Sequence, residues 1–374
     1  MNYSIVVPVF NRPDEVDELL ESLCSQTLKD FEVVIVEDGS KKPCKDVCDK
    51  YADILDLHYY YKNNSGPGQS RNYGVERAKG EYVIILDSDV VLPESYMMAV
   101  NSSVECRTES VEFATAHEGS ANSAAAANST LSTLNSQLVC WGGPDASHPS
   151  FTPVQKAISY SMTSFFTTGG IRGGKKKLDK FYPRSFNMGI RRDVYLQLGG
   201  FSKMRFGEDI DFSYRMVEAG YQPQLFPDAW VWHKRRTDFR KFFRQVYNSG
   251  IARINLEKRH PGTMKLVHLL PMVFTVGVIG LILVSAIGRA LMHYVDRDQF
   301  YWMCFAPWLP ILLYSLIILI DSTIQNKSLK VGLLSIPAAF TQLMGYGCGF
   351  IEAWWKQCVQ GKDEFQAFEK TFYQ

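Results

Sequence analysis

Asp87 and Asp89 flank a single serine at the end of the apolar run Tyr82–Leu86 (YVIIL). Two carboxylates held that close repel, and both stay ionised only when a cation sits between or beside them. Hard oxygen donors with open positions suit Mg2+ or Mn2+ bridging a diphosphate. Alone, a D-x-D triplet reads equally as a solvated acidic turn; its place after a buried strand favours the metal. Asn64–Gly74 (NSGPGQSRNYG) is glycine-rich and opens onto the helical pattern Val75–Lys79. Backbone N–H groups at a helix start attract anions, and Arg71 adds a fork-shaped donor. It lacks the GK[ST] of a Walker loop, and the bland alternative is a turn with a helix cap. Glu208, Asp209 and Asp211 fall in the first turn of a helix ending at Gly220. There they offset the helix dipole and also present carboxylates to an adjoining cleft. His233, after the strand-like Ala229–Trp232, stands as a ligand for metal or diphosphate or as a structural residue. Gly142–Asp145 and Gly169–Gly174, the latter followed by Lys175, Lys176 and Lys177, are loop signals that either position phosphates or stay solvated.

These residues need a scaffold. Ser4–Phe10 reads as a buried strand, Asp14–Gln26 as an amphipathic helix, and Phe31–Val36 (FEVVIV) as a second strand. With Tyr82–Leu86, this alternation predicts an α/β domain with a mostly parallel sheet. In such sheets ligands bind beyond the carboxyl ends of the strands. Pro8–Arg12, Glu37–Ser40 and Asp87–Asp89 all fall at such ends.

The chain has 374 residues, 46% hydrophobic and 21% charged, a globular profile that excludes a wholly disordered or collagen-like polymer. Lys+Arg is 40 against Asp+Glu 39, so no overall field draws nucleic acid, and none is expected as a partner. The eight cysteines are too thinly spread for a disulfide framework. Cys44 and Cys48 would share a helix face, read as solvent-facing thiols rather than a zinc site. The amino terminus has no basic region and its apolar run is broken by Pro8, so it does not read as a signal peptide. A reducing cytoplasm is expected for the first domain.

The mean hydropathy of −0.12 averages two unlike parts. Leu266–Gly288, Gln299–Ile320 and Val331–Ile351 contain no Asp, Glu, Lys or Arg, except that each is bordered by them. Each exceeds the roughly 18 residues that mark a membrane span. Trp302, Trp308, Trp354 and Trp355 lie near run ends, where amphipathic rings favour the interface. The third run, with Gly345, Gly347 and Gly349, fits a span or a re-entrant segment, so two or three crossings remain open. Asp238–Ile254 mixes basic and aromatic residues at helical spacing, as a helix on an anionic membrane surface does. Nine basic residues from Arg235 to Lys265 precede the first run, and only Arg289 and Arg297 follow it before the second. That bias places the amino-terminal side in the cytoplasm.

VPVFNR, VVIVEDGS, NNSGPGQSRNYG, LDSDVVLP, NMGIRRDVYLQLGGF and FGEDIDFSYRMVEAGY together resemble a family 2 glycosyltransferase, in order and spacing, over roughly residues 1–236. The carboxyl end is similar to that of bacterial members anchored in the inner membrane. The resemblance implies a GT-A fold, that is a Rossmann-like, mostly parallel catalytic domain, here followed by helical transmembrane segments. It implies a nucleotide-diphosphate sugar donor, a divalent metal (Mg2+ or Mn2+) and inversion at the anomeric carbon. Carried over by motif, Asp38 would bond the nucleobase, and Pro8, Val9 and Asn11 would line the nucleotide. Arg71 would sit against base or phosphates, Asp87 would face ribose and metal, and Asp89 would ligate the metal, with His233 a further candidate. In Gly207-Glu208-Asp209 the pattern makes Asp209 the base, with Glu208 beside it. An acceptor hydroxyl is a poor nucleophile until a carboxylate takes its proton.

The expected organisation is a catalytic domain over 1–236, an interfacial linker over 237–265, two or three spans in 266–351 and a tail over 352–374. Expected partners are a nucleotide sugar, a lipid-linked or surface-glycan acceptor and membrane lipids. The Ala/Ser/Asn-rich stretch Glu118–Gln137 departs from the pattern and reads as a flexible insertion. The QxxRW signature of processive synthases is absent, since Gln245-Val246-Tyr247-Asn248 keeps only the glutamine. A polyprenyl-phosphate sugar synthase is an alternative, although Val90–Glu94 departs from its usual D-x-D-x-Q-x-P-P-E pattern. A non-catalytic assembly factor on the same scaffold would tolerate losing Asp209 or the D-x-D carboxylates, and all are present.

Overall fold

The computed structural model describes residues 2–106, 138–168, 181–291 and 304–363. The 118–137 stretch, the glycine-lysine segment 169–177 and the end of the tail lie outside the described residues. The chain forms two compact units. One comprises Met1–His148 with Lys175–Lys234, the other Pro149–Gly174 with Arg235–Gln374. Residues 149–174, which fall inside the 1–236 expectation, thus cluster with the carboxyl-terminal helices.

The first strands are central parallel strands, and their near-continuous apolar runs follow from burial on both faces. β1 (Tyr3–Val9) is followed by α1 (Pro13–Cys24), which starts on Pro13 and buries Val16, Leu19, Leu20 and Leu23 at helical spacing. β2 (Phe31–Asp38), buried throughout, leads to α2 (Lys45–Tyr51) and β3 (Asp56–Lys62). α3 (Pro67–Arg77) precedes β4 (Tyr82–Leu86), the short β5 (Val90–Val91) and a helix over 96–106, α4. β6 (Cys140–Gly142) and β7 (Asp145–Ala146) lead out of this unit into α5 (Pro153–Thr163) and α6 (Phe165–Thr168) of the other. The chain returns through β8 (Asn187–Arg191), α7 (Arg192–Gln197), α8 (Glu208–Glu218), β9 (Gln224–Leu225) and β10 (Val231–His233).

The main sheet has the order β3-β2-β1-β4-β8-β6-β9. β3, β2, β1 and β4 are parallel, and β8 turns the sheet by pairing antiparallel to both β4 and β6. A small sheet, β5-β10-β7, sets His233 opposite Val90. Two expectations change here. α3 begins at Pro67, well inside the expected loop, because Pro67 opens a helix and Gly74 lets it settle on the sheet. A Cβ at Gly74 would collide with Val6 and meet Val36 Cγ2 at 3.1 Å. Cys44 and Cys48 are buried rather than solvent-facing, with their sulfurs 4.0 Å apart in the core under α1. The Cys48 thiol and burial push the Cys44 thiol up, so it stays protonated.

The other unit continues with α9 (Phe239–Arg259), capped by the Asp238 side chain, and then α10 (Leu270–Leu291), α11 (Leu309–Asn326) and α12 (Leu329–Trp354). Among the described residues, three helices are long and apolar enough to cross a membrane: Leu266–Leu291, Ala306–Asn326 and Leu329–Val359. The glycines of the third run are contact points. Side chains at Gly345 and Gly349 would collide with Val246 and Tyr247 of α9, and one at Gly347 with Thr275 of α10.

Candidate active site

The carboxyl ends of β1, β2 and β4 collect the polar residues expected there. At the end of β1, Asn11 adopts φ 55°. Its backbone N–H donates to Ser40 Oγ at 2.7 Å, and its Oδ1 accepts from the N–H groups of Lys41 and Lys42. That ties the end of β1 to the loop after β2. Val9 is packed into the core, which leaves its backbone alone for contact with a ligand, whereas Pro8 is half-buried. At the end of β2, buried Asp38 accepts from the N–H groups of Ser65 and Gly66, both at 2.9 Å, and pairs with Lys62. Asp38 therefore fixes the turn from which α3 starts.

α3 carries Arg71 into the site, 4% exposed. Its Nη2 lies 2.6 Å from Asp87 Oδ1 and its Nη1 3.0 Å from Glu208 Oε1. One guanidinium thus joins the loop after β4 to the first turn of α8. Burial pulls Arg71 down, but Asp87 and Glu208 outweigh it and hold the guanidinium above its ordinary value. α8 follows Gly207, whose φ of 83° is a left-handed conformation that glycine adopts without strain. Glu208 is buried, which pushes its carboxyl up to about 7; Arg71 pulls against the shift and Asp209 adds to it. Asp209 lies 2.9 Å from Arg184 Nε and also accepts from the N–H of Ser185 at 3.4 Å. Asp211 pairs with Arg215 within α8 and belongs to the helix itself.

Asp87, Asp89 and His233 offer ligand atoms that all lie within 4.8 Å of one another. The β5–β10 pairing brings His233 there, with Nε2 3.3 Å from Asp89 Oδ1, and the ring of Phe186 stacks on the imidazole. Arg12 Nη1 donates to Asp89 Oδ2 at 2.6 Å. The buried Nδ1 of His233 has no hydrogen-bond partner among the described residues, and Asp145 Oδ2 stands 3.9 Å away. Two carboxylates and an imidazole whose Nε2 faces Asp89 form a donor set that fits Mg2+ or Mn2+.

A second group, Glu32, Asp56 and His58, lies at the opposite ends of the strands. Glu32 Oε1 there accepts from Ser4 Oγ and from the Lys79 N–H, and Lys79 Nζ approaches His58 Nε2 at 3.4 Å. This group holds the α3–β4 turn to the sheet. The site brings together Asp38, Arg71, Asp87, Asp89, Glu208, Asp209 and His233. Sequence reasoning gave no role of their own to Arg12, Arg184 or Phe186, and placed Asp145 only in a loop that either positions phosphates or stays solvated. Arg12 stood within a strand-end motif that could have flagged it, whereas Arg184 carries no local signal.

Residues 4–99 match the model described as Glycosyl transferase family 2. A protein of Rickettsia felis named an uncharacterized glycosyltransferase is 37% identical over 86 residues, 23% of this chain and 14% of that protein. A poly(ribitol-phosphate) beta-N-acetylglucosaminyltransferase, TarS, of Staphylococcus aureus is 38% identical over 93 residues, 24% of this chain and 16% of that protein. The chain thus spans only a small part of the length of these relatives. Among solved structures, a mannosyltransferase from Pyrobaculum calidifontis superposes with a TM-score of 0.52 at 12% identity, covering 95% of this chain and 88% of that one. The mostly parallel sheet and its helices have the GT-A fold that the sequence motifs imply, and residues 4–99 are similar to the glycosyl transferase family 2 model.

Proposed function

We propose that the protein is a divalent-metal-dependent, inverting glycosyltransferase, moving a sugar from a nucleotide-diphosphate donor to a lipid-linked or surface-glycan acceptor at the cytoplasmic face of a membrane. The observation that carries this is Arg71, which joins the metal-ligand carboxylate Asp87 to the Glu208-Asp209 pair across one site. The solved mannosyltransferase of this fold is a complex with GDP-mannose and Mn2+, which supports a nucleotide sugar and a divalent cation here.

Asp87, Asp89 and His233 would hold the cation, which when bound supplies neutralising charge for a departing diphosphate. Asp38, Pro8, Val9 and Asn11 would border the nucleotide. Asp209 takes the proton of the acceptor hydroxyl as its oxygen bonds the anomeric carbon. The bond from that carbon to the diphosphate breaks on the opposite face, its electron pair leaves with the nucleoside diphosphate, and the configuration inverts. Glu208, held by Arg71, positions this turn of α8. Three apolar helices support membrane association, and the basic residues before Leu266 support a cytoplasmic catalytic domain in an inner membrane. Full-length protein in detergent, offered a panel of nucleotide sugars with Mg2+ or Mn2+ and with or without membrane lipid extract, should release nucleotide from one donor. No release from any donor under these conditions would overturn the proposal.

A further inference from the structure

α9 and α12 lie side by side and run in the same direction. Val246 packs on Gly345, Tyr247 on Gly349, and Gly250 on Tyr346 and Phe350. Ile251 and Ile254 share a core with Phe350 and Ala353, and the Asn255 amide accepts from Gln357. At the other end Phe239 clusters with Leu334 and Ala338. Position rises on both helices together, so whatever membrane depth α12 takes, α9 takes too. α9 carries Arg240, Lys241, Arg244 and Arg253, along with Gln245, Asn248 and Asn255. Side chains of that kind at that density are not admitted to the hydrocarbon core without a pore or a partner for each. Arg240, Lys241 and Arg244 are exposed, which suits α9 to the headgroup layer.

A second contact points the same way. Gly347, near the middle of the apolar run Leu329–Val359, meets Pro271 and Thr275, and Thr275 Oγ1 donates to the Leu343 carbonyl. Pro271 and Thr275 lie in the first turns of α10. If α10 crosses the membrane, its beginning is at the surface, and the middle of α12 is at the surface with it. A crossing α12 would put that same point at mid-depth. The packing also separates the three helices: 44% of the apolar stretch of α12 is buried inside the protein, against 11% for α10 and for α11. α12 finally runs out at exposed Trp354 and Trp355, rings suited to an interface.

We propose that α12 does not cross the membrane but lies with α9 in the interface between headgroups and acyl chains. The chain then crosses twice, through α10 and α11, and the carboxyl end returns to the side of the amino terminus. This inference rests on the membrane reading above. Its test is three reporters on the full chain in bacterial cells, each as green fluorescent protein and as alkaline phosphatase: at the amino terminus, inserted at Asp296, and at the carboxyl terminus. Fluorescence at both ends and phosphatase activity at Asp296 is the expected pattern. Active phosphatase at both Asp296 and the carboxyl terminus would mean three crossings, overturning the proposal while the membrane reading stands. All three reporters on one side would remove the crossings and overturn both. Labelling of Cys358, exposed just beyond α12, supplies a second readout without a fusion. A membrane-impermeant maleimide should reach it only after lysis, scored as the signal lost in Cys358→Ser; labelling in intact cells refutes the return.

Discussion

Replacing Arg71 with methionine keeps the length of the side chain and removes the charge that two carboxylates share. Asp87 is 29% exposed at its side chain, so water replaces much of what it loses. Glu208 is 7% exposed and has Asp209 beside it, so its charge would be left buried and unmatched. Removing one partner of a buried pair typically costs about 3–5 kcal/mol, and the Glu208 contact sets the Arg71→Met loss in that range. The loss depends on pH. Glu208 titrates at about 7 in the folded protein against an ordinary 4.5. A folded value above the unfolded one means that its stabilising proton is fully present below about 4.5 and is lost as pH rises through about 7. Near pH 5 Glu208 is protonated with or without Arg71, and at Glu208 the variant loses only a hydrogen bond, about 1 kcal/mol. Near pH 8 the wild type pairs a carboxylate that the variant must bury alone or protonate. Urea unfolding of the full chain in detergent, followed by tryptophan fluorescence, should show a midpoint drop that is small near pH 5 and several-fold larger near pH 8. Arg71→Met with Glu208→Gln should recover most of the loss at the higher pH, because the unmatched charge at Glu208 is gone. An equal drop at both values, or a double variant as unstable as Arg71→Met, would show that the Glu208 charge is not what Arg71 answers.

Asp89→Ala should abolish metal-dependent nucleotide binding, measured by calorimetry, in a protein that still melts cooperatively; full transfer activity in excess chelator would refute the metal site. Asp209→Asn should keep donor binding while transfer falls roughly 10²–10⁴-fold, about 3–5 kcal/mol in the barrier, with Glu208→Gln hurting less. Near wild-type transfer by Asp209→Asn beside a dead Glu208→Gln would move the base to Glu208. Gly74→Ala should destabilise the catalytic unit by about 1–3 kcal/mol through the clash with Val6 and Val36, read as a lowered thermal midpoint.

The sequence shows some of this fold plainly and hides the rest for physical reasons. β1, β2 and β4 are legible because strands buried on both faces must be continuously apolar. The apolar helices are legible because length alone separates them from soluble helices. α3 is not, since Pro67-Gly68 reads as a turn, whereas in the structure the proline opens the helix and buried Gly68 and Gly74 bring it close to its neighbours. β8 is five residues, Asn187–Arg191, with no alternation of its own; its antiparallel place is decided by β4 and β6, far away in sequence. The membership of Pro149–Gly174 in the second unit is hidden for the same reason. It follows from packing such as Ala157 with Val331 and Ala338, and Tyr160 Oη donating to Asp321 at 2.6 Å.

The same division runs through the site. Its carboxylates are legible because they stand in short motifs at strand ends and at a helix start. The cations that let so many carboxylates share one end of a sheet are less so. Asp38 has Lys62, Asp87 and Glu208 share Arg71, Asp89 has Arg12, and Asp209 has Arg184. Each lies at a different sequence distance from its partner, from 16 positions for the Arg71–Asp87 contact to 137 for the Arg71–Glu208 contact. No local pattern announces such pairs, because they depend on the register of β1 with β2 and β4 and on where α8 begins. Their consequence is functional. A carboxylate already matched by a cation can remain ionised in a buried site, and a ligand that brings its own charges must exchange with those partners rather than simply add to them. Under the proposed function the acidic residues would mark where the chemistry is placed, and the cations contributed from elsewhere in the chain would set the charge against which a donor and a metal bind.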